Sequence, residues 1–192
     1  MPGNLPNAHH DLAEILVKAA RRLYNEVKEV HFVVPAASRE HRERFETTLR
    51  LHADGDFPLT VLFGHAHEAL AAADLALVSS GTDALEAALF KTPMVIAHRT
   101  TAPSGWLARW PSSSRPWIGL PNLLAGAPVV PEYVQRQATP WGLAAGLMTL
   151  MGDAQARKRQ IEQFREIHQM LRQDHAQKVS DAVLGMLGDD AG

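Results

Sequence analysis

The sequence predicts an α/β fold of the Rossmann-like type, in which a parallel sheet has helices on both faces. Short runs of branched apolar residues, typical of buried strands, alternate with segments whose apolar residues recur at helical spacing. A tight Ser-Gly-Thr turn also joins one such strand to a helix, as happens at the carboxyl ends of strands in parallel sheets. The 192 residues suffice for one domain of this kind. We expect it over residues 1–188, with a loose tail at 189–192.

The amino-terminal part predicts two helices and two strands, followed by a short helix. Residues 8–27 carry apolar residues at spacings of three and four, which places them on one helix face. Residues 30–34 are mostly β-branched or aromatic and end at a proline, as a short buried strand does. Residues 38–52 are charged with one apolar side and open at a serine, a common N-cap residue. The apolar run 59–63 predicts a strand, and the Ala-rich segment 65–73 predicts a helix.

The central part predicts a β-α-β unit. An apolar strand at 74–79 leads through the Ser-Gly-Thr turn into a helix at 81–91, and a proline separates that helix from a strand at 93–97. Because the helix starts at the carboxyl end of a strand, its first backbone N–H groups and its dipole favour a bound anion. The unit therefore predicts a ligand site.

The Ser-Gly-Thr turn carries most of the functional information. Glu86 lies four residues after Thr82, so both side chains share one helix face. A phosphate near Gly81 and Thr82, with a sugar hydroxyl donating to Glu86, indicates a nucleotide or nucleotide-sugar ligand. The alternative is an ordinary β-α-β unit with a well-capped helix, in which Ser80 and Asp83 form a capping box.

Residues 98–117 interrupt the alternation with an irregular excursion that is rich in tryptophan, arginine and serine. One interpretation is a surface loop packed by its own aromatic residues. The other is an amphipathic patch for lipid, because Trp beside Arg suits a membrane interface. After it we expect a last short strand at 117–120, a turn at 121–126 and a helix with Thr139 as N-cap and Pro140 at its first position. Two further helices close the chain.

Composition excludes several function classes. The formal net charge is −2, so the composition gives no sign of the excess positive charge typical of nucleic-acid-binding proteins. The sequence contains no cysteine, so disulfides, thiolate nucleophiles and Cys-ligated zinc are excluded. Its 10 histidines are scattered without metal-site spacing, and we interpret nearly all as surface residues. We expect no signal peptide and no membrane-spanning segment.

Three segments together resemble lipid-A-disaccharide synthase, a glycosyltransferase with two facing Rossmann-like domains. They are SGTDALEAALFKTPMVI at 80–96, LPNLLAG at 120–126 and VVPE at 129–132. The resemblance covers nearly the whole chain and corresponds to the carboxy-terminal half of that enzyme. It implies that the chain is the UDP-binding half.

The resemblance implies a reaction in lipid A synthesis at the cytoplasmic face of the inner membrane. UDP-2,3-diacylglucosamine would be the lipid donor and 2,3-diacylglucosamine 1-phosphate (lipid X) the acceptor, giving lipid A disaccharide 1-phosphate and UDP. No metal and no cofactor are implied. The general base would lie in the amino-terminal half, and partners would be that half or a second copy in a homodimer. The donor-binding residues would be Ser80, Gly81, Thr82, Glu86, Asn122, Gly3, Glu132 and Gln135.

Two of these residues have simpler interpretations. Asn122 would bond a pyrophosphate or sugar oxygen without adding charge, but a residue after a proline is also a common turn residue. Glu132 would reach the site from the following loop, or it would simply start a helix.

The chain departs from the family pattern at its amino-terminal end. The family has a strand followed by Leu-Pro-Gly-Ser-Arg, whereas this chain reads Met1-Pro-Gly-Asn-Leu5. The arginine that would contact the donor phosphates is replaced by Leu5, and Ala127 replaces a basic residue after LPNLLAG. We therefore expect no catalysis by the chain alone. A non-catalytic UDP-binding module and an assembly fragment remain the alternatives.

Overall fold

A computed structural model describes residues 9–52, 58–79, 81–99 and 117–172. The predictions for Gly3, Leu5, Ser80, most of the 98–117 excursion, the last helix and the tail concern residues outside these ranges. The described elements, in chain order, are α1 (His9–Glu26), β1 (Phe32–Ala36), α2 (Arg39–His52), β2 (Leu59–Phe63), α3 (Ala66–Ala72), β3 (Ala76–Ser79), α4 (Thr82–Leu89), β4 (Met94–His98), α5 (Leu120–Ala125), β5 (Glu132–Val134), a 3₁₀ turn (Gln135–Gln137), α6 (Pro140–Gly152) and α7 (Ala154–Leu171).

All described strand pairs are parallel, and they form two sheets. β1 pairs with β2, from Phe32 opposite Leu59 to Ala36 opposite Phe63. The second sheet has the order β3-β4-β5, with Ala76 opposite Met94. The α/β class and the parallel pairing are confirmed. Within the described residues no ladder joins β1 to β3.

Helices cover both faces of the larger sheet. On one face α1 and α6 pack over β4, where Val95 and Ala97 are fully buried against Leu143. On the other face α4, α5 and α7 bury Ile96 and Phe164. A strand buried on both faces reads as a continuous apolar run, which explains the sequence of β4.

Helix α1 also connects the two sheets. Ala13 and Val17 pack with Phe45 of α2 over β1 and β2, while other α1 residues such as Leu16 belong to the core of the larger sheet. The amphipathic pattern that predicts α1 therefore serves two cores at once.

The stretch between residues 117 and 134 differs from the prediction. The expected strand at 117–120 is wrong, because helix α5 begins at Leu120. The expected turn at 121–126 is that helix, which ends at Gly126 in the left-handed conformation (φ 63°). Glu132 starts a short strand rather than a helix.

Candidate functional site

The turn after β3 has a backbone that only glycine adopts easily. Gly81 has φ 104° and ψ −143°, a region in which a side chain is strained. A Cβ built there meets no atom of the described residues within 4 Å, so the torsion angles rather than lack of space select glycine. The open space beside Gly81 permits close approach of a ligand to the backbone.

Two buried polar side chains close this turn from inside. Ser79 Oγ donates a hydrogen bond to Asp83 Oδ2 at 3.0 Å, and each residue is only 7% exposed. The buried Asp83 carboxylate complements the positive end of the α4 dipole. The bond ties the first turn of α4 to the last residue of β3, while the alternative of a capping box between Ser80 and Asp83 involves a residue outside the described ranges.

The first turn of α4 presents the predicted ligand groups to its outer side. Gly81 occupies the N-cap position and has no side chain to accept from the first backbone N–H groups. Thr82 is exposed and Glu86 half-buried, one turn apart on the same helix. The arrangement can accept an anion at the backbone and a hydroxyl at the carboxylate.

The carboxyl ends of three parallel strands lie side by side at this edge. Gly81 follows β3, His98 ends β4 and Gln135 follows β5, and the sheet order places His98 between the other two. Gln135 has φ 51°, a left-handed conformation that is uncommon for a non-glycine residue. The structure therefore places Gln135 on the same edge as the Ser-Gly-Thr turn, as the ligand hypothesis requires.

His98 is not among the candidate site residues predicted from the sequence. In the structure it is the last residue of β4. The residue is half-buried at the end of β4. Burial lowers the pKa of His98, and the nearby Glu132 carboxylate opposes that shift in part. The signal in the sequence was a histidine directly after the apolar run Met94–Ala97.

Asn122 is fully buried, and all its hydrogen bonds stay within the chain. Its Nδ2 donates to Val130 O at 2.8 Å and to Glu132 Oε1 at 2.7 Å, and its Oδ1 accepts from Val130 N at 2.7 Å. Both amide hydrogens and the carbonyl oxygen thus have partners. Asn122 joins α5 to the segment before β5.

Glu132 accepts three hydrogen bonds at the start of α5. Besides Asn122 Nδ2, the carboxylate accepts from Ile118 N at 2.8 Å and Gly119 N at 2.9 Å. A Cβ on Gly119 would lie 2.9 Å from Glu132 Oε1 and 2.4 Å from Ile96 Cδ1, so any larger residue there would displace one or both of these side chains. We call these groups (the Glu132 and Asn122 side chains and the two backbone N–H groups) the Glu132 cluster.

The parallel sheet and the turn at its carboxyl edge define a Rossmann-like domain like those that bind nucleotides at this edge. Residues 7–185 match the family described as lipid-A-disaccharide synthetase, and the chain belongs to that family. The family is one of glycosyltransferases of lipid A biosynthesis.

Curated relatives agree with this family assignment. The chain is 43% identical over 188 residues to the lipid-A-disaccharide synthase of Dechloromonas aromatica, 44% over 184 residues to that of Thiobacillus denitrificans and 42% over 193 residues to that of Azoarcus sp.. These alignments cover 97%, 95% and 100% of this chain and 49%, 48% and 49% of the relatives. The chain therefore spans about half the length of the curated relatives it matches.

Proposed function

We propose that this chain is the donor-binding half of a lipid-A-disaccharide synthase, binding the UDP part of UDP-2,3-diacylglucosamine at the turn after β3. The family match over residues 7–185 carries the proposal. The open, glycine-specific backbone at Gly81 and the exposed start of α4 support this position for the phosphates. In the complete reaction lipid X would accept the sugar and UDP would leave.

Each residue at the edge has a proposed role. Gly81 and Thr82 contact the phosphates, Glu86 accepts from ribose hydroxyls, and Gln135 approaches from the neighbouring strand. The leaving β-phosphate gains negative charge as the bond breaks. Backbone N–H groups and a helix dipole stabilise that charge most where it grows, which is what transition-state stabilisation requires.

The proposed location is the cytoplasmic face of the inner membrane. Among the helices in the described ranges, none is long and apolar enough to cross a bilayer. Trp141, at the start of α6, is 65% exposed, and an exposed tryptophan suits a membrane interface. Because the proposed donor and acceptor are lipids, the enzyme would meet them at the membrane surface.

UDP titration by calorimetry tests the proposal. We expect weak binding to the wild type and a loss of about 1.5–3 kcal/mol in Glu86→Ala, the contribution of one charged hydrogen bond. Glu162→Ala is the control. It also removes one carboxylate charge, but Glu162 is exposed on α7 and is not one of the proposed site residues. Equal affinities for wild type and Glu86→Ala would show that Glu86 does not bind the nucleotide.

A non-catalytic UDP-binding module is the second candidate, favoured by Leu5, which stands where the family has the arginine expected to contact the donor phosphates. It predicts the same UDP titration but no contribution to disaccharide synthesis when the amino-terminal half of the enzyme is supplied. Mixing the chain with a separately produced amino-terminal half and both lipid substrates distinguishes the two candidates.

A further inference from the structure

The turn that leads into α5 brings several N–H donors together. Ile118 and Gly119 precede the helix, and Gly119 is its N-cap residue. Here the N–H groups of Ile118 and Gly119, together with Asn122 Nδ2, all donate to the carboxylate of Glu132 from the neighbouring strand β5. The protein supplies its own anion at this position.

The chemistry of the three donors requires a carboxylate. Among the described residues, the groups that bond to Glu132 are all N–H donors, and an ionised carboxylate accepts at both oxygens while donating nothing. A glutamine of the same shape would offer one accepting oxygen and turn an NH₂ group towards a donor. Gly119 completes the fit, because any Cβ there would lie against Glu132 Oε1.

The Glu132 cluster sets the position of α5 relative to the candidate donor site. It ties the start of α5 to β5, and α5 packs against α4, whose first turn carries Gly81 and Thr82. Leu85 of α4 and Leu124 of α5 pack against the same core. A shift of the α5 start would therefore be transmitted to the helix at the donor site.

We infer that Glu132 is a positioning residue, an internal anion that occupies the start of α5 and keeps α5 in register with α4. This inference rests on the proposed UDP site for its functional consequence. It differs from the initial hypothesis for Glu132, since the carboxylate acts through α5 rather than by touching the donor.

Replacing the carboxylate and returning it in solution tests the inference. Glu132→Ala removes two carbons and two oxygens, the heavy atoms of acetate, and a cleft of about 1050 Å³ borders Glu132 and Asn122. We expect Glu132→Ala to melt at a lower temperature than wild type. Sodium acetate, compared with sodium chloride at equal ionic strength, should raise its melting temperature more than it raises that of wild type.

Glu132→Gln separates hydrogen bonding from packing. It preserves volume, so we expect a smaller loss of melting temperature but a UDP dissociation constant raised about fivefold or more, as for a coupled site. Glu162→Gln, which removes an exposed charge on α7, should leave both quantities at wild-type values. If Glu132→Gln binds UDP and melts like wild type, Glu132 is not a positioning residue.

UDP binding and acetate rescue of the melting temperature test the proposed function and the Glu132 inference separately. If wild type does not bind UDP, the proposed function fails, while acetate rescue of Glu132→Ala still decides whether the α5 start holds an internal anion. If acetate raises the melting temperatures of wild type and Glu132→Ala equally, the internal-anion inference is overturned whatever UDP does. If Glu132→Ala does not fold even in acetate, Glu132→Gln decides alone, through its melting temperature and its UDP affinity.

Discussion

The polar side chains near the carboxyl edge bond mainly to backbone groups and to one another. Ser79 and Asp83 close one turn, and Asn122 with Glu132 holds another. Burying a polar group destabilises the fold unless the group is hydrogen-bonded. The loops must therefore take the positions in which these residues keep their hydrogen bonds. The loops at this edge are therefore set by a few residues whose removal leaves donors without acceptors.

His98 gives the edge a pH dependence. Because burial lowers its pKa, the unfolded chain binds a proton at about pH 6.5, where the folded chain does not yet bind one. The contribution to stability is complete above that value and is lost as pH falls towards the lowered pKa. We expect the free energy of unfolding in urea to fall less between pH 7.5 and 5.5 in His98→Gln than in wild type.

The comparison with His98→Gln separates this residue from the other titrating groups. Glu14 and Glu68 also have lowered pKa values, but carboxylates titrate below this pH range. Both are present in wild type and variant. Identical slopes for the two proteins would show that His98 contributes nothing.

The strands and helices with strong periodic patterns could be predicted from the sequence. β2 has its predicted bounds, and α4 and β4 lie within about two residues of theirs. β4 is apolar because both faces of its sheet are covered, so its signal is local. The Thr139 N-cap is also confirmed, since its hydroxyl accepts from Gly142 N at 3.0 Å.

The segment between 117 and 134 could not be predicted, because tertiary contacts decide it. Residues 117–120 look like a strand, yet the N–H groups of Ile118 and Gly119 donate to a carboxylate that is distant in sequence. For the same reason the sequence does not decide whether Asn122 contacts a ligand or is a turn residue. Its partners Val130 and Glu132 become its neighbours only after folding.

Helix α6 offers a test of close packing at the scale of one element. A Cβ on Gly146 would lie 2.5 Å from Tyr133 Oη and 2.9 Å from the ring, so the tyrosine must move. Alanine normally favours a helix over glycine by about 0.8–1.0 kcal/mol. We expect Gly146→Ala nevertheless to destabilise the protein by about 1–3 kcal/mol, the usual cost of overpacking, in urea unfolding.

Gly152 in the same helix is the matched control. A Cβ there comes within 4 Å of nothing in the part of the chain that the structure describes, and the residue is helical. Gly152→Ala should be neutral or slightly stabilising, by up to about 1 kcal/mol. If both alanine variants are stabilised alike, the contact with Tyr133 does not constrain Gly146.

At the scale of the whole molecule, the described domain carries the proposed donor site at one edge of its sheet. A single Rossmann-like domain cannot enclose both donor and acceptor, and the proposed base belongs to the other half of the enzyme. We therefore expect no disaccharide from the purified chain with UDP-2,3-diacylglucosamine and lipid X. Turnover above a no-protein control, measured by product formation, would overturn this expectation.

The two sheets leave a cleft between them. A volume of about 1100 Å³ is lined by Phe32–Pro35 from β1, by Leu75–Leu77 at β3 and by α1, among others. The resemblance implies a strand in this cleft. Without such a strand we expect one of three outcomes: direct pairing of β1 and β3, a borrowed strand or aggregation. Within the described residues β1 and β3 do not pair, and we expect self-association because unpaired strand edges recruit other strands.

The direction of α1 shows how a strand would reach the cleft. α1 has 18 residues, which makes it about 27 Å long, and it leads into β1 from the amino edge of the sheet. Its first residue therefore lies at the carboxyl edge. A strand joined ahead of it would end at that edge and run parallel to β1 and β3, giving hydrogen-bond partners to both.

Adding an apolar strand of about six residues and a short linker ahead of Pro2 should therefore stabilise the chain. Each buried unpaired backbone group costs about 1–3 kcal/mol, and the added strand would pair those on both inner edges. We expect a higher melting temperature and less light scattering than in the unextended chain, which should self-associate in sedimentation. A Gly-Ser extension of equal length is the control, because it adds length without a strand-forming sequence. An unextended chain that is a monodisperse monomer, with a melting temperature equal to that of the strand-extended chain, would show that the cleft does not accept a strand.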